Sequence, residues 1–259
     1  MRLLTAILLT GILLPGRVLG QSASQDNADL VARMKSWAAD YDRRLQDFLC
    51  TQQMTRYQGS TGPSPGWKRL EQQELEVSYQ RNKVGYHRVK VDGKTDKLEQ
   101  RVKKGYLTPG GEFAAMSRVF DPKAAADFTF DHRETREGHP FCVFRYQVPL
   151  ERTNIKMHVN LEVVPVGYKG SVDADCETAE VHTVRIATDP GIAHFGKREI
   201  PVGLKLEVRY EPIEISGNGY LLPSHADLTG LFNTRLTRAD LDFSNYRKYS
   251  SNSTISSTT

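Results

Sequence analysis

Two short groups of polar residues carry side chains that catalysis or metal binding would need. His132 to Glu134 places an imidazole beside a carboxylate, and a histidine paired in this way can act as a general base. Asp173, Asp175 and Glu177 supply carboxylate oxygens, which are the ligands that a hard cation such as calcium prefers. These are the strongest candidates for chemistry in the chain.

Both groups also have structural interpretations, which we favour. Neighbouring residues of a strand point to opposite faces, so His132 and Arg133 cannot share one site on a strand. Aspartate is common in hairpin turns. The acidic stretch also lacks the glycine and the final bidentate glutamate of a known calcium loop. We therefore expect no catalytic residue and no metal site.

Motifs for nucleophilic, zinc-dependent and nucleotide-dependent chemistry are absent from the sequence. It contains no G-x-S-x-G, no H-E-x-x-H, no phosphate-binding P-loop and no G-x-G-x-x-G after a strand. The seven histidines are scattered without metal-ligand spacing. The sequence predicts a protein that is not an enzyme and needs no cofactor. A secreted hydrolase of unrecognised type is one alternative.

The three cysteines, Cys50, Cys142 and Cys176, are the disulfide candidates. Because their number is odd, at least one thiol stays unpaired. A bridge between Cys142 and Cys176 and a bridge between Cys50 and Cys142 are both compatible with the spacing. The sequence leaves the pairing open.

Residues 1–20 are typical of a secretory signal peptide. Arg2 gives a positive start, and 3–14 is an apolar run of about 12 residues, shorter than the roughly 20 that a membrane-spanning helix needs. Cleavage is predicted between Gly20 and Gln21. We expect an exported chain, periplasmic or extracellular, with no membrane span after cleavage and in a compartment where disulfides form.

The charge balance argues against nucleic acid as a partner. Removing Arg2 and Arg17 with the signal peptide leaves 33 of the 35 basic residues against 31 acidic ones, a net charge of only +2. Nucleic-acid-binding domains usually carry a clustered positive excess. The mean hydropathy of −0.50 and the 39% hydrophobic residues are ordinary for a globular protein with a core.

An apolar stripe at the start of the mature chain predicts a long amphipathic helix. Its residues recur at intervals of three or four: Leu30, Met34, Trp37, Tyr41, Leu45 and Phe48. Asp26 or Asn27 is expected to cap its start. Acidic residues on the polar side would repel anionic lipid, so we expect this helix to pack on a sheet.

After residue 49 the apolar period changes to two, which is typical of strands. Charged strands joined by tight turns predict an antiparallel meander with one wet face, and Asp92-Gly93 is a hairpin signal. Phe141 to Val148 carries apolar residues on both faces, which favours a central strand. The predicted strands are 50–57, 75–79, 84–91, 98–102, 128–130, 141–148, 168–172, 180–188, 204–211, 213–216, 226–236 and 239–249, with a short helix at 113–120.

The pattern as a whole predicts a mainly β fold of the α+β class, with one long N-terminal helix and a short central helix. No internal repeat or long linker divides the chain, so 26–249 is expected to form a single β-rich domain. The Ser/Thr-rich segment 250–259 is expected to be a disordered tail.

Two stretches and the order of elements resemble the lipoprotein-carrier superfamily of LolA and LolB. Tyr168 to Val181 is similar to that group's strand, acidic turn and strand, and Val208 to Pro223 resembles its hairpin ending at a proline. Phe48 to Gln52 also resembles the Phe-x-Cys-Thr-Gln-like opening of uncharacterised secreted bacterial proteins. The resemblance covers most of the mature chain. It implies a curved, incompletely closed antiparallel sheet or half-barrel with helices over its concave face.

Such a fold would enclose an apolar cleft, where each buried methylene of a ligand gains about 0.8 kcal/mol. The candidate lining residues are Met34, Trp37, Tyr41, Phe128, Phe130, Phe141 and Phe144, although aromatic residues at this spacing also form ordinary cores. We expect a non-catalytic carrier or binding protein for a lipid or lipoprotein-like ligand in the cell envelope. The other alternative is an envelope protein-interaction or sensor module that uses a sheet edge.

Overall fold

A computed structural model describes residues 19–81, 83–98, 111–159 and 162–249. Its helices are α1 (Leu19–Arg44) and α2 (Gly111–Val119), and Leu150–Arg152 forms one turn of 3-10 helix. The strands are β1 (Phe48–Ser60), β2 (Lys68–Gln80), β3 (Lys83–Val91), β4 (Lys94–Thr95), β5 (Asp127–Arg136), β6 (His139–Val148), β7 (Lys156–Val159), β8 (Glu162–Pro165), β9 (Tyr168–Asp175), β10 (Val181–Thr188), β11 (Gly191–Phe195), β12 (Arg198–Ile215), β13 (Asn218–Phe232) and β14 (Arg235–Lys248).

Twelve of these strands form one antiparallel sheet in the order β4-β3-β2-β1-β14-β13-β12-β10-β9-β6-β5, with β11 added beside β12. The first strand pairs with the last, from Phe48 opposite Lys248 to Ser60 opposite Arg235. Within the described ranges, the path of paired strands ends at β4 and at β5, which do not pair with each other, so the sheet is open. The predicted mainly β class, with an open antiparallel sheet and two helices, is confirmed.

Both helices pack on the same side of the sheet, which we call the inner face. Leu30, Met34 and Ala38 of α1 are buried, as is Met116 of α2. Together with Phe144 of β6 they belong to one apolar cluster that spans most of the sheet. The alternation of buried and exposed residues along the strands leaves the opposite, outer face polar, as expected for an antiparallel sheet covered on one side.

The predicted start and end of the long helix are wrong. The helix begins at Leu19, so Asp26 and Asn27 lie inside it and cannot cap it. It ends at Arg44, and Phe48 is the first residue of β1. Phe48 matched the three- or four-residue spacing of the helical stripe by coincidence. It is a strand residue that faces inward and comes four positions after the last residue of the helix.

The predicted central position of the strand at 141–148 is also wrong, because β6 is next to the edge strand β5. Its outer-face residue Phe141 is covered by side chains rather than by another layer. The Arg136 guanidinium lies 5.0 Å from the ring centroid, and the His182 ring lies edge-on at 5.2 Å. An apolar residue on the outer face therefore gave β6 the sequence pattern of a strand that is buried on both faces.

Two predicted strand breaks are absent. β12 continues through Pro212, and β13 continues through Pro223. Pairing shifts beside Pro223, where Arg209 lies opposite His225 and Tyr210 lies opposite Pro223, so Ser224 is extra. A bulge of this kind accepts a residue without a backbone donor.

Three predictions fall mostly outside the described residues. The strand expected at 98–102 lies there apart from Leu98, and the tail at 250–259 lies there entirely. The signal peptide expected at 1–20 lies there apart from Leu19 and Gly20, which begin α1. Within the described part of the chain, neither helix has the length and apolar character that crossing a membrane requires.

Candidate functional site

A cavity of about 660 Å³ opens between the two helices on the inner face. We call it the helix groove. Its walls include Lys35, Ala38, Ala39, Val119, Phe120 and Ala126. Small side chains on α1, and on the segment after α2, leave space between the two walls. The groove has an apolar lining and one side open to solvent.

Aromatic rings continue the apolar wall of the groove towards the sheet. Phe120 stacks on Phe128 with ring centroids 5.4 Å apart, and Phe128 lies 5.8 Å from Tyr146. The Lys35 ammonium lies 5.5 Å from the centroid of the Phe128 ring, close enough for a cation–π interaction. The groove therefore combines a mostly apolar interior with one positive and one negative side chain, Lys35 and Asp121.

A network of hydrogen bonds holds the α2 wall in place. The Tyr168 hydroxyl lies 3.0 Å from the Arg118 carbonyl oxygen and 2.9 Å from Asn154 Oδ1. Asn154 Nδ2 donates to the Arg118 carbonyl at 2.9 Å and to Asp121 Oδ2 at 3.1 Å. Burial raises the pKa of Tyr168 to about 12, so the hydroxyl keeps its proton. The end of α2 is thus fixed to the sheet.

A second cavity, of about 440 Å³, lies on the other flank of α1. Trp37 and Tyr41 line it and stack on each other with centroids 5.4 Å apart. Tyr220 from the β12–β13 hairpin and Glu180 complete its opposite side. The helix α1 therefore has a cavity on each flank and a buried stripe between them.

The seven residues predicted to line an apolar cleft lie in different parts of the structure. Met34, Tyr41 and Phe144 are buried in the core, and Trp37, Phe128 and Phe130 pack against it partly buried. Phe128 continues the wall of the helix groove, whereas Trp37 and Tyr41 line the second cavity. Phe141 does not join them, because it is three residues from Phe144 on one strand and faces the outer side.

Sequence reasoning missed the residues that shape the helix groove. Ala38 and Ala39 leave the space on one wall, and Ala126 does so on the other. Alanine gives little signal in a periodicity argument because it is common in cores and on surfaces alike. The run of three alanines at 124–126, three residues after a predicted helix, was the available clue.

His132 does have a carboxylate partner, but it is Asp131 rather than Glu134. Its Nδ1 lies 3.0 Å from Asp131 Oδ2, and Arg145 Nη2 lies 2.8 Å from Asp131 Oδ1. The hydrogen bond with His132 lowers the pKa of Asp131. Glu134 is paired with Arg136 instead. The His132 side chain is about half exposed and lines neither of the two cavities.

Two of the three acidic residues at 173–177 have structural roles for their carboxylates. Asp173 is fully buried and accepts hydrogen bonds from Arg136 Nη2 at 2.6 Å and Arg185 Nη1 at 2.7 Å. Asp175 Oδ1 closes the turn by accepting from the backbone of Glu177 at 2.7 Å. Among the described residues, no three His, Cys, Asp or Glu side chains are grouped as a metal site.

The Asp173 contacts begin a chain of ion pairs across the outer face. Arg185 Nε lies 3.0 Å from Glu207 Oε2, and Arg209 Nε lies 3.0 Å from Glu207 Oε1. Arg209 in turn lies 3.8 Å from Asp227. Charges of opposite sign thus alternate across four neighbouring strands and largely compensate one another.

The structure also selects between the two disulfide pairings. Cys142 and Cys176 are bonded, with their Cα atoms 5.2 Å apart. Cys50 is a buried free thiol, and burial raises its pKa to about 12. The pairing depends on β6 and β9 being neighbours in the sheet, which the spacing of the cysteines does not encode.

Comparison with known proteins gave structural likenesses only, since no family model and no curated protein matches the chain. A domain from Vibrio parahaemolyticus named for outer membrane lipoprotein sorting is similar at 11% identity over 83% of this chain and 90% of that one, with a TM-score of 0.36. A DUF1329 family protein from Desulfovibrio piger is similar at 11% identity over 85% and 90%, with a TM-score of 0.35.

A third similar structure is the MucA/MucB complex of Pseudomonas aeruginosa. The identity is 12% over 87% of this chain and 99% of that one, with a TM-score of 0.22. All three similar structures are at low sequence identity.

Proposed function

We propose that the protein is exported and acts as a non-catalytic carrier or binding protein for a hydrophobic ligand, whose apolar chain lies in the helix groove. The observation that carries the proposal is the groove itself, with its volume of about 660 Å³ and its largely apolar walls. Small-molecule sites typically have volumes of roughly 300–1,000 Å³ and mostly apolar linings.

Export is supported by two independent features. Residues 1–20 have the charge and apolar length of a signal peptide. The disulfide between Cys142 and Cys176 is of the kind that persists in an oxidising compartment. A carrier in the cell envelope meets both conditions.

At the rim of the groove, Lys35 is the charge that favours an amphiphile with an anionic head group. The Lys35 ammonium lies over the Phe128 ring at the edge of the groove. The rim carboxylate of Asp121 is engaged by the Lys123 backbone at 2.9 Å and by Asn154 Nδ2 at 3.1 Å. A carboxylate or phosphate beside Lys35, with an acyl chain between the helices, matches this distribution. Each methylene buried there contributes about 0.8 kcal/mol.

The substitution Ala39→Trp tests the site, because Ala39 is an exposed residue of α1 whose side chain borders the groove. The indole would fill the space while leaving the buried stripe of α1 untouched. We expect the variant to bind a fluorescent fatty acid at least about tenfold more weakly than the unmodified protein. Ser36→Trp is the matched control, since Ser36 is exposed on the same helix and lies outside the lining of both cavities.

Native mass spectrometry of the purified protein gives an independent check. We expect a bound lipid, or uptake of an added fatty acid in a one-to-one complex. A protein that carries no lipid and also fails to bind fatty acids of several chain lengths would contradict the proposal. Equal loss of binding in Ala39→Trp and Ser36→Trp would place the ligand elsewhere.

A further inference from the structure

The N-terminal half of α1 is attached to the turn that carries the disulfide. Arg33 Nη1 donates to the Glu177 carbonyl oxygen at 2.6 Å, and its Nη2 donates to the Cys176 carbonyl oxygen at 3.3 Å. Leu30, one turn earlier on the helix, is only 3% exposed and borders the same surface cavity as Cys176. The turn between β9 and β10 therefore anchors this part of the helix to the sheet.

That turn is in its place because a covalent bond ties it to β6. Cys142 lies within β6, and Cys176 lies directly after β9. The Cys176 backbone N–H also donates to the Pro140 carbonyl oxygen at 3.0 Å. Without the S–S bond, hydrogen bonds alone would hold the turn and the two carbonyls that Arg33 contacts.

We propose that the Cys142–Cys176 disulfide is a redox-active latch for α1, with Cys176 as the sulfur that an external thiol attacks. In the oxidised protein the latch seats Arg33 and holds the N-terminal half of α1 on the sheet. In the reduced protein only hydrogen bonds hold the turn, the two carbonyl acceptors of Arg33 are no longer fixed, and that half of the helix leaves the sheet.

The two sulfurs differ in access. Cys142 is fully buried. Cys176 is half-buried and borders a surface cavity of about 660 Å³. Two arginines and two aspartates line the same cavity, Arg33, Arg133, Asp26 and Asp29, so its charged side chains balance. An incoming thiolate therefore meets Cys176 first.

Reduction needs a dithiol as co-reactant. Its thiolate attacks Cys176 Sγ and breaks the S–S bond, which leaves a mixed disulfide at Cys176 and releases Cys142 as a thiolate that takes up a proton. The second thiol of the reductant then displaces Cys176, which is also protonated. Two electrons pass to the protein, and the dithiol becomes a disulfide.

Cys50 does not compete in this exchange. It is a buried thiol with a pKa of about 12, raised by burial and next by the nearby Glu112 carboxylate. The thiolate is the attacking species, and at neutral pH its fraction at Cys50 is negligible. Exchange is therefore confined to the bonded pair while the protein stays folded.

Hydrogen exchange of the mature protein, without any ligand, measures the latch directly. We expect dithiothreitol to speed amide exchange in residues 25–36 at least about tenfold, while β12 to β14 keep their protection. Unchanged exchange in 25–36 after reduction would overturn the latch. Equal loss of protection in the helix and the sheet would also overturn it, because the disulfide would then stabilise the whole fold rather than α1.

The substitution Arg33→Ala distinguishes the effect of the Arg33 hydrogen bonds on α1 from the effect of the disulfide. With the disulfide intact, we expect faster exchange in 25–36, and little further change on reduction. Arg43→Ala is the matched control, because Arg43 pairs with Asp40 on the same helix. Similar exchange in the two variants would contradict the role of Arg33.

The site of attack is tested with glutathione, a monothiol that leaves a mixed disulfide behind. The oxidised protein is treated with a small excess of glutathione, quenched in acid and mapped by mass spectrometry. We expect the adduct on Cys176. An adduct on Cys142, or none on either cysteine, would contradict the assignment.

Discussion

His225 illustrates how single residues stabilise the outer face of the sheet. Its Nδ1 lies 2.7 Å from Asp242 Oδ1, and its Nε2 lies 3.2 Å from Asp227 Oδ2. Burial lowers the pKa of His225, but the hydrogen bonds to the two carboxylates outweigh burial and raise it above 6.5. The folded protein therefore favours the charged imidazolium, which can donate to both carboxylates at once.

This arrangement predicts a pH-dependent contribution to the free energy of unfolding. Because the folded-state pKa is the higher one, the stabilisation is complete below pH 6.5 and is lost as pH rises through the folded-state pKa. We expect His225→Gln to cost on the order of 0.5–1 kcal/mol at pH 5.5 and less at pH 9. Urea unfolding at the two pH values measures the difference.

Asp242→Asn is the partner variant for that measurement, since it removes the nearer carboxylate. It should lower the His225 pKa that an NMR titration reports. A His225 pKa below 6.5 in the unmodified protein would contradict the assignment.

Residue-level chemistry was only partly predictable from the sequence. Asp173 was identified as a carboxylate of interest, but its burial between Arg136 and Arg185 depends on strands that are distant in sequence. The carboxylate next to His132 is Asp131 rather than Glu134, at a register shift of the β5–β6 pair that the sequence does not reveal. Short-range spacing does not reveal contacts across a sheet.

At the scale of elements, a close approach between β9 and β10 requires glycine. A Cβ on Gly170 would lie 1.8 Å from the Arg185 carbonyl oxygen and 2.8 Å from the Tyr146 hydroxyl. That hydroxyl donates to the same carbonyl at 2.7 Å, so β6, β9 and β10 meet at this point. Backbone and a buried tyrosine leave no room for a methyl group.

We therefore expect Gly170→Ala to lower the free energy of unfolding by about 3 kcal/mol, because overpacking there must displace a strand. Gly219→Ala is the control, since a Cβ at that strand position meets nothing within 4 Å. Urea unfolding compares the two variants. Equal effects would contradict the close approach at Gly170.

Elements with a clear period were predictable, and their ends were not. The alternation of Leu75, Val77 and Tyr79 with charged residues correctly predicted the inner-facing part of β2. Pro212 and Pro223 were expected to end strands, but the β12–β13 hairpin continues past both, with a bulge at Ser224 beside Pro223. Local turn propensity was overridden by pairing along a long hairpin.

At the scale of the whole molecule, the decisive feature is the pairing of β1 with β14. It joins the N-terminal meander to the C-terminal one and makes a single sheet wide enough for two helices on its inner face. This order was not predictable, because a period of two identifies a strand but not its partner. The groove between α1 and α2 exists only in that assembled sheet.

The central claim is that a hydrophobic chain binds between α1 and α2. A fatty acid with a photoreactive diazirine on its chain tests it most directly, by irradiation of the complex, proteolysis and mapping of the labelled peptides. We predict labels in residues 35–39 and 117–126, which form the two walls of the groove, and loss of both in Ala39→Trp. Labels confined to the outer face of β12 to β14, or labelling that Ala39→Trp leaves unchanged, would contradict the claim.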